Sequence, residues 1–250
     1  GLLKAQIDKQ LLAIVKEAAR TKAPAGSPRQ QVGDFYRAAM DTKRLDVLGL
    51  APVKEELALI EAAATPAALG ELLARQQLRL GASPLVNAFA TQDAKDNRRI
   101  RLVIYGGVQA LDPDDYAKPE GERVRGLYRD YLAKTFATLG DNATAATARA
   151  ATVLEMETAL VGARLGLLEM RDPRRTYNIL PFAEAQALIP AVDLTAFVKA
   201  LGVAVPADVQ VFDPESLRAT QRLLTARTAA DLRTLLRWHA VQLRASTLGE

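Results

Sequence analysis

The stretch LVNAFATQDAKDNRRIRLVIY, residues 85–105, decides the fold, because it carries the one convincing β signal in the chain. Side chains alternate along two short runs, Leu85, Asn87 and Phe89 in the first and Ile100, Leu102 and Ile104 in the second. Alternation of period two is the mark of a strand with one buried face. The intervening Asp93-Ala94-Lys95-Asp96-Asn97 is turn chemistry, so the stretch reads as a β-hairpin over about 85–105, ended by Gly106-Gly107. Val209-Gln210-Val211-Phe212 is the one further short strand expected.

Outward from the hairpin, spacing of three and four residues takes over. Leu3, Ile7, Leu11, Ile14, Val15 and Ala18 draw one apolar stripe along an opening helix, which the Pro24, Gly26 and Ser27 stretch breaks. Ser27-Pro28 and Thr65-Pro66 each place a capping hydroxyl before a first-turn proline, and so open two further helices. Between them a helix carries Val53, Leu57, Ile60 and Ala64. After Asp112-Pro113-Asp114-Asp115, read as a polar loop, one helix carries Leu127, Tyr128, Tyr131, Leu132 and Phe136. A long alanine-rich helix is expected from about Asn142 to Met170. Shorter helices follow around Phe182–Leu188, at Leu194–Leu201 and after Asp213-Pro214. Thr228-Ala229-Ala230-Asp231 has the capping-box form before the last one. The expected fold is mainly α, a multi-helix array with one inserted β-hairpin, read as a single region over 1–250.

Composition excludes several functions. The 250 residues are 49% hydrophobic and 25% charged, with a formal net charge of +4. Arg98, Arg99, Arg101 and Arg171, Arg174, Arg175 are the densest basic runs. Each has acids nearby and no interleaved aromatics, so no nucleic-acid partner is expected. No apolar run approaches the roughly 18 residues of a membrane span, and the opening GLLKAQIDKQLL is too polar for a signal-peptide core. With no cysteine and one histidine, neither a thiolate zinc site nor HExxH can be built. His239 lies in the helical run Leu235-Leu236-Arg237-Trp238-His239-Ala240, and reads as a packing or helix-surface residue. GxSxG, Walker and GxGxxG spacings are absent. The best oxygen cluster, Asp112, Asp114 and Asp115, lacks the glycine and distal glutamate of a calcium loop. No catalytic residue and no metal ligand is therefore expected in this chain.

Four stretches, in order, carry a resemblance. Val32-Gly33-Asp34-Phe35-Tyr36-Arg37-Ala38-Ala39-Met40-Asp41 resembles a segment ending in FYRSCMD, and Phe89-Ala90-Thr91-Gln92-Asp93-Ala94-Lys95-Asp96 resembles a hairpin of the form F-x-x-x-D-x-K-[DN]. Asp172-Pro173-Arg174-Arg175-Thr176-Tyr177-Asn178, followed by Phe182-Ala183-Glu184-Ala185-Gln186, is similar to DP-x-x-x-YN…LAELQ. Asp231-Leu232-Arg233-Thr234-Leu235-Leu236-Arg237-Trp238-His239 is similar to DL-x-x-YLRWH. All four resemble, in order, the N-terminal, largely helical part of the neprilysin-like zinc metallopeptidases, and together they span nearly the whole chain. The family's Gly-Leu-Pro-x-Arg-Asp-Tyr-Tyr run after the hairpin is replaced here by Ala110-Leu111-Asp112-Pro113-Asp114-Asp115-Tyr116-Ala117.

The resemblance implies a non-catalytic lid or cap that encloses a peptide-binding cavity. It would act with a catalytic half, carrying HExxH and the zinc, that this chain lacks; the region is incomplete relative to the family. The implied partners are that half, from the same precursor or a separate chain, and a peptide substrate, and the implied setting is periplasmic or extracellular. One substrate contact is implied: Lys4, at the position of an arginine that holds the substrate's C-terminal side, keeps the charge but loses the bidentate fork. The alternative is a stand-alone helical binding or scaffold protein derived from such a lid, motivated by the altered 110–117 loop.

Overall fold

Cap residues and prolines set where the helices begin. The computed structural model describes residues 2–63, 65–107, 109–245 and 248, in two compact units, 1–52 with 244–250 and 53–243. Ala64, expected on a helix, lies outside the described residues. The first unit holds α1 (Leu2–Arg20), α2 (Pro28–Ala39) and α3 (Thr42–Leu48). Ser27 caps α2 by accepting from Gln30 N at 3.3 Å, with Pro28 in the first turn, and Asp41 caps α3 by accepting from Arg44 N at 3.1 Å. Helices α1 and α2 approach closely at Gly33, where a Cβ would collide with the Ala18 carbonyl. Arg37 locks the pair, donating to the Ala19 carbonyl at 2.6 Å while ion-paired with Asp34.

The second unit opens with α4 (Lys54–Ala62) and α5 (Pro66–Leu80), then β1 (Val86–Gln92) and β2 (Ile100–Gly106). Next come α6 (Pro113–Ala117), α7 (Glu122–Thr138), α8 (Ala143–Gly162) and α9 (Pro173–Thr176). The remaining elements are β3 (Asn178–Pro181), α10 (Phe182–Leu188), α11 (Leu194–Ala200), β4 (Asp208–Val211), α12 (Pro214–Ala226) and α13 (Ala229–Arg244). Thr65 caps α5 through Ala68 N at 3.1 Å. The Thr228–Asp231 box closes reciprocally, Asp231 N donating to the Thr228 hydroxyl and Thr228 N to the Asp231 carboxylate, each at 3.2 Å. Gly81 ends α5 at φ +91°, a left-handed position that costs glycine nothing.

Mainly α with a small β insertion is the observed class, with four differences from the sequence reading. The hairpin is not isolated. Its strands are half of a four-stranded sheet ordered β1-β2-β4-β3, in which β2 and β4 run parallel and β3 and β4 antiparallel. β3 was not expected, because four residues ending in proline carry too little pattern to read as a strand. The long alanine-rich helix ends at Gly162, not near Met170. There Leu165 N donates to the Asp213 carboxylate at 3.0 Å and half-buried Arg164 donates to the Gly107 carbonyl, contacts that hold the chain just past the helix end. Asp112 to Asp115 is not a plain loop, since Asp112 stands at the N-cap of α6.

The core of this unit is continuous. Ile104, Val209 and Val211 on the two inner strands pack with Leu132, Phe136, Met156, Phe197, Leu217 and Trp238 from the helices around them. Each such side chain, fully buried, contributes roughly 1.5–3 kcal/mol relative to exposure. Ala146 and Ala150 are buried on α8 and let α7 approach it closely.

Candidate functional site

The most concentrated polar chemistry in the second unit is a buried hub around Glu157. It arises because α8 places Glu157 in phase with the inward Val153, Leu160 and Val161, so a carboxylate enters the core. Four side chains converge on it. The Tyr116 and Tyr128 hydroxyls donate to Oε2 at 2.9 and 2.8 Å, while Trp238 Nε1 donates to Oε1 at 3.3 Å and His239 Nε2 lies 3.0 Å from the same atom. Helices α6, α7, α8 and α13 are thereby fastened together. Burial, with the carboxylate beside them, pushes both phenols far above the ordinary tyrosine range, so they remain donors at every physiological pH. Trp238 also stacks edge-to-face on Tyr128 and Tyr131, with centroids 5.7 and 5.6 Å apart.

This hub has the wrong access for catalysis. Glu157 and His239 are both 0% exposed, and His239 Nδ1 has no hydrogen-bond partner. A general base must reach a substrate proton directly or through one water. His239 is thus placed as the packing residue that its helical context suggested. Tyr116 comes from the altered 110–117 stretch and also accepts from Leu111 N at 3.1 Å, so that stretch is built into the core.

A second network ties the sheet. Asp93, at the end of the hairpin's first strand, accepts from Lys95 N at 2.8 Å and from the Tyr177 hydroxyl at 2.8 Å, and pairs with Arg101. Arg101 reaches on to Asp208 on β4 at 2.5 Å, and Lys95 sits 4.5 Å over the Tyr177 ring. These contacts, the Lys95 amide foremost, hold the Asp93 carboxyl well below the usual carboxylate range. Asn178 Nδ2 donates to the Val211 carbonyl at 3.1 Å, and Asp172 caps α9 through Arg174 N at 3.0 Å. The hairpin and Asp-Pro motifs therefore meet in space, and what they build is a joint.

The remaining candidates resolve as follows. Lys4 is exposed on α1. Asp114 pairs with Lys118 at 2.8 Å, and no group of three or more His, Asp or Glu among the described residues could hold a metal. Most arginines of the basic runs are ion-paired: Arg98 and Arg99 with Asp96, Arg101 with Asp93, Arg174 with Asp172, Arg175 with Glu169. No helix among the described residues is long and apolar enough to cross a membrane. An open groove of about 960 Å³ lies along α4, α5 and α11, with Leu59, Leu72 and Ala196 in its wall and Glu71, Arg75 and Lys199 at its rim. Sequence reasoning missed Glu157, Tyr116 and Tyr128 as a set; an acidic residue in phase with an apolar face was the available signal.

A helical array around a small mixed sheet, fastened by these motif residues, is the architecture of the N-terminal region of neprilysin-like metallopeptidases. The chain belongs to peptidase family M13, whose N-terminal family model matches residues 1–250. Among curated relatives, endothelin-converting enzyme 1 of Cavia porcellus is 26% identical over 231 residues, covering 86% of this chain and 30% of the relative. The Rattus norvegicus enzyme is 24% identical over 254 residues, covering 95% and 33%. The chain is similar in structure to the zinc metalloprotease Zmp1 of Mycobacterium tuberculosis in its inhibitor complex, with TM-score 0.86, 24% identity, and coverage of 98% of this chain and 38% of that one. PepO from Lactobacillus rhamnosis HN001 matches with TM-score 0.68 and 18% identity over 99% of this chain and 39% of its own. The chain spans about a third of the length of the relatives it matches.

Proposed function

We propose that this chain is the non-catalytic cap of a neprilysin-like zinc metallopeptidase, enclosing a peptide-binding cavity together with a catalytic half that carries the zinc. One observation carries the reading: the only histidine is sealed against Glu157 in the core, so the chain offers structure where a zinc peptidase offers ligands. The family match over residues 1–250 supports it. So do the Zmp1 structures described as an open state and a partially open state, to which this chain is similar with TM-scores of 0.86 and 0.75. A part that opens and closes over a cavity governs which substrates enter. Lys4 is the proposed contact to the substrate's C-terminal carboxylate; its position on an exposed helix leaves its charge available. The proposed setting is outside the cytoplasm. The stand-alone scaffold reading fits poorly with Leu3, Phe35 and Val47 exposed at 71%, 79% and 88%.

The test is reconstitution. The 250-residue chain alone should cleave no peptide and hold no stoichiometric zinc by elemental analysis. Added to the downstream catalytic polypeptide, it should form a one-to-one complex by native mass spectrometry, with chelator-sensitive cleavage of short peptides and exclusion of folded proteins. One tightly held zinc in the chain alone, or a complex that cleaves folded proteins as readily as short peptides, would overturn the reading.

A further inference from the structure

The outer edge of β1 is closed along half of its length and open along the rest. β1 stands at the end of the sheet order β1-β2-β4-β3, so one side of it faces no strand. Its ladder with β2 runs from Val86↔Gly106 to Gln92↔Ile100. At its two ends Gly107 N donates to the Leu85 carbonyl at 2.8 Å and Asp93 N to the Arg99 carbonyl at 2.9 Å. Odd-numbered residues therefore spend their backbone groups on β2, while Val86, Ala88, Ala90 and Gln92 turn theirs outward. Side chains close the first two. The Ser83 hydroxyl accepts from Val86 N at 3.3 Å and donates to the Val86 carbonyl, and the Gln77 amide accepts from Ala88 N at 2.9 Å and donates to the Ala88 carbonyl. Covering backbone groups in this way is how folded proteins blunt a strand edge. Ala90 and Gln92 carry no such cover. Among the described residues nothing bonds their outward N–H or C=O groups, and both are exposed. The Gln92 side chain is spent on the turn, donating to the Asn97 carbonyl at 2.6 Å, so it does not serve this edge as Gln77 serves Ala88.

We infer that the Ala90–Gln92 edge is a strand-addition site for an extended acidic peptide segment, paired antiparallel to β1. Two backbone donors and two acceptors in one row are read by one chemistry, an extended chain that returns the same groups at the same spacing. Antiparallel pairing, as between β1 and β2, is the slightly more stable arrangement. Phe89 sets the preferred side chain. It is 46% exposed and leans edge-to-face on Tyr105 with centroids 5.6 Å apart, on a face where an added strand presents every second residue. An aromatic or branched residue beside it is favoured. Charge sets the end of the segment. Beyond Gln92 the turn carries Lys95, Arg98 and Arg99, and the Arg98 and Arg99 side chains, 86% and 63% exposed, share the single acid Asp96. Acidic residues at the end of the added strand meet that surplus. The inference goes beyond the cap reading. Within that reading the segment is a stretch of the peptide taken in, but binding is measured on this chain alone, so either can fail without the other.

The probe is the fluorescein-labelled peptide EDVTVYVT, which, set antiparallel, puts its tyrosine beside Phe89 and its acids beyond Gln92. Its Kd for the 250-residue chain is read by fluorescence anisotropy at low salt, and its position by amide hydrogen exchange. Saturable binding is expected, with exchange of the Ala90 and Gln92 amides slowed about tenfold or more and that of the α8 amides unchanged. N-methylation of the Val-Thr-Val run after the acids keeps the charge and removes the donors, and should weaken Kd about tenfold or more. Ala90→Pro should do the same and keep the wild-type circular dichroism, because the N–H it removes faces away from β2. Arg98→Glu/Arg99→Glu should weaken Kd about threefold. Equal Kd for the plain and N-methylated peptides, or Ala90 and Gln92 amides that exchange at saturation as they do in the free chain, would overturn the inference and leave a charge contact only. A chain that dimerises with these two amides protected, with the dimer lost in Ala90→Pro and the peptide unbound, would assign the edge to a second copy and overturn it too. Neither result bears on reconstitution of peptidase activity, which tests the cap reading by itself.

Discussion

Replacing Glu157 by leucine tests whether the buried hub holds the second unit together. The substitution removes the acceptor for two hydroxyls, an indole N–H and an imidazole nitrogen, held at 2.8 to 3.3 Å. A buried donor left unsatisfied costs about 1–3 kcal/mol, and breaking a buried charged partnership about 3–5 kcal/mol in all. Burial of the leucine side chain offsets part of this, so a net loss of about 2–4 kcal/mol is expected. Against a domain stability of about 5–15 kcal/mol, that is a large fraction. In urea, with a slope of about 2–3 kcal/mol/M, the midpoint should fall by about 1–2 M. Glu157→Gln should cost less, about 1–3 kcal/mol, because the amide oxygen can still serve the two tyrosines. The amide N–H2 would then face His239, whose Nε2 can accept if the proton moves to the unpartnered Nδ1. Trp238 is the only tryptophan and touches Glu157 directly, so its fluorescence reports the hub itself during the melt. A loss below about 1 kcal/mol for Glu157→Leu, with Trp238 emission unchanged, would refute the assignment of Glu157 as the fastening point.

The other tests are smaller. Glu56 is buried with Oε1 unpartnered, and burial raises its carboxyl above the ordinary value, so ionisation costs stability as pH rises past the carboxylate range. Glu56→Gln should therefore raise the melting temperature at pH 7, by the equivalent of about 1 kcal/mol, and make no difference below pH 4 in a pH-resolved thermal melt. Asp93 has its carboxyl held low, so its contribution is present above the ordinary carboxylate value and fades as pH falls below it; Asp93→Asn should lower the melting temperature at pH 7 and flatten its acid dependence below pH 4. Gly70→Ala places a methyl against the Asp193 carbonyl between α5 and α11, and should cost about 1–3 kcal/mol in a denaturant titration.

The helices were legible where local chemistry is complete within a few residues. Ser27, Thr65 and Thr228 announce their helices because a cap bond spans three positions, and the hairpin was legible because alternation and turn chemistry lie side by side. The joints were not. Asp93 and Tyr177 are 84 residues apart and Glu157 and His239 are 82 apart, so no local pattern could pair them. β3 exists because β4 offers it an antiparallel edge; without that partner its four residues carry no strand signal. The end of α8 was likewise set from afar, by Asp213 and by the carbonyl of Gly107.

The same residues explain why a resemblance of short motifs could identify a family whose chemistry this chain does not contain. Of the four stretches, the hairpin supplies Asp93, the Asp-Pro stretch supplies Asp172, Tyr177 and Asn178, and the last supplies Trp238 and His239. All of these are hydrogen-bonded within the fold. The first stretch supplies Gly33, the position at which α1 and α2 touch, and Arg37, which bonds the Ala19 carbonyl. Asp93, Trp238 and His239 are buried, and a Cβ at Gly33 would collide with the Ala18 carbonyl. Exposed positions such as Leu127 or Leu168 carry no such penalty. A region built this way can differ freely across its outer surface while its joints stay recognisable, so motif matches in it report architecture. Chemistry must then be sought where polar groups are both reachable and unspent, and exposed Lys4 on α1 is the residue proposed for it.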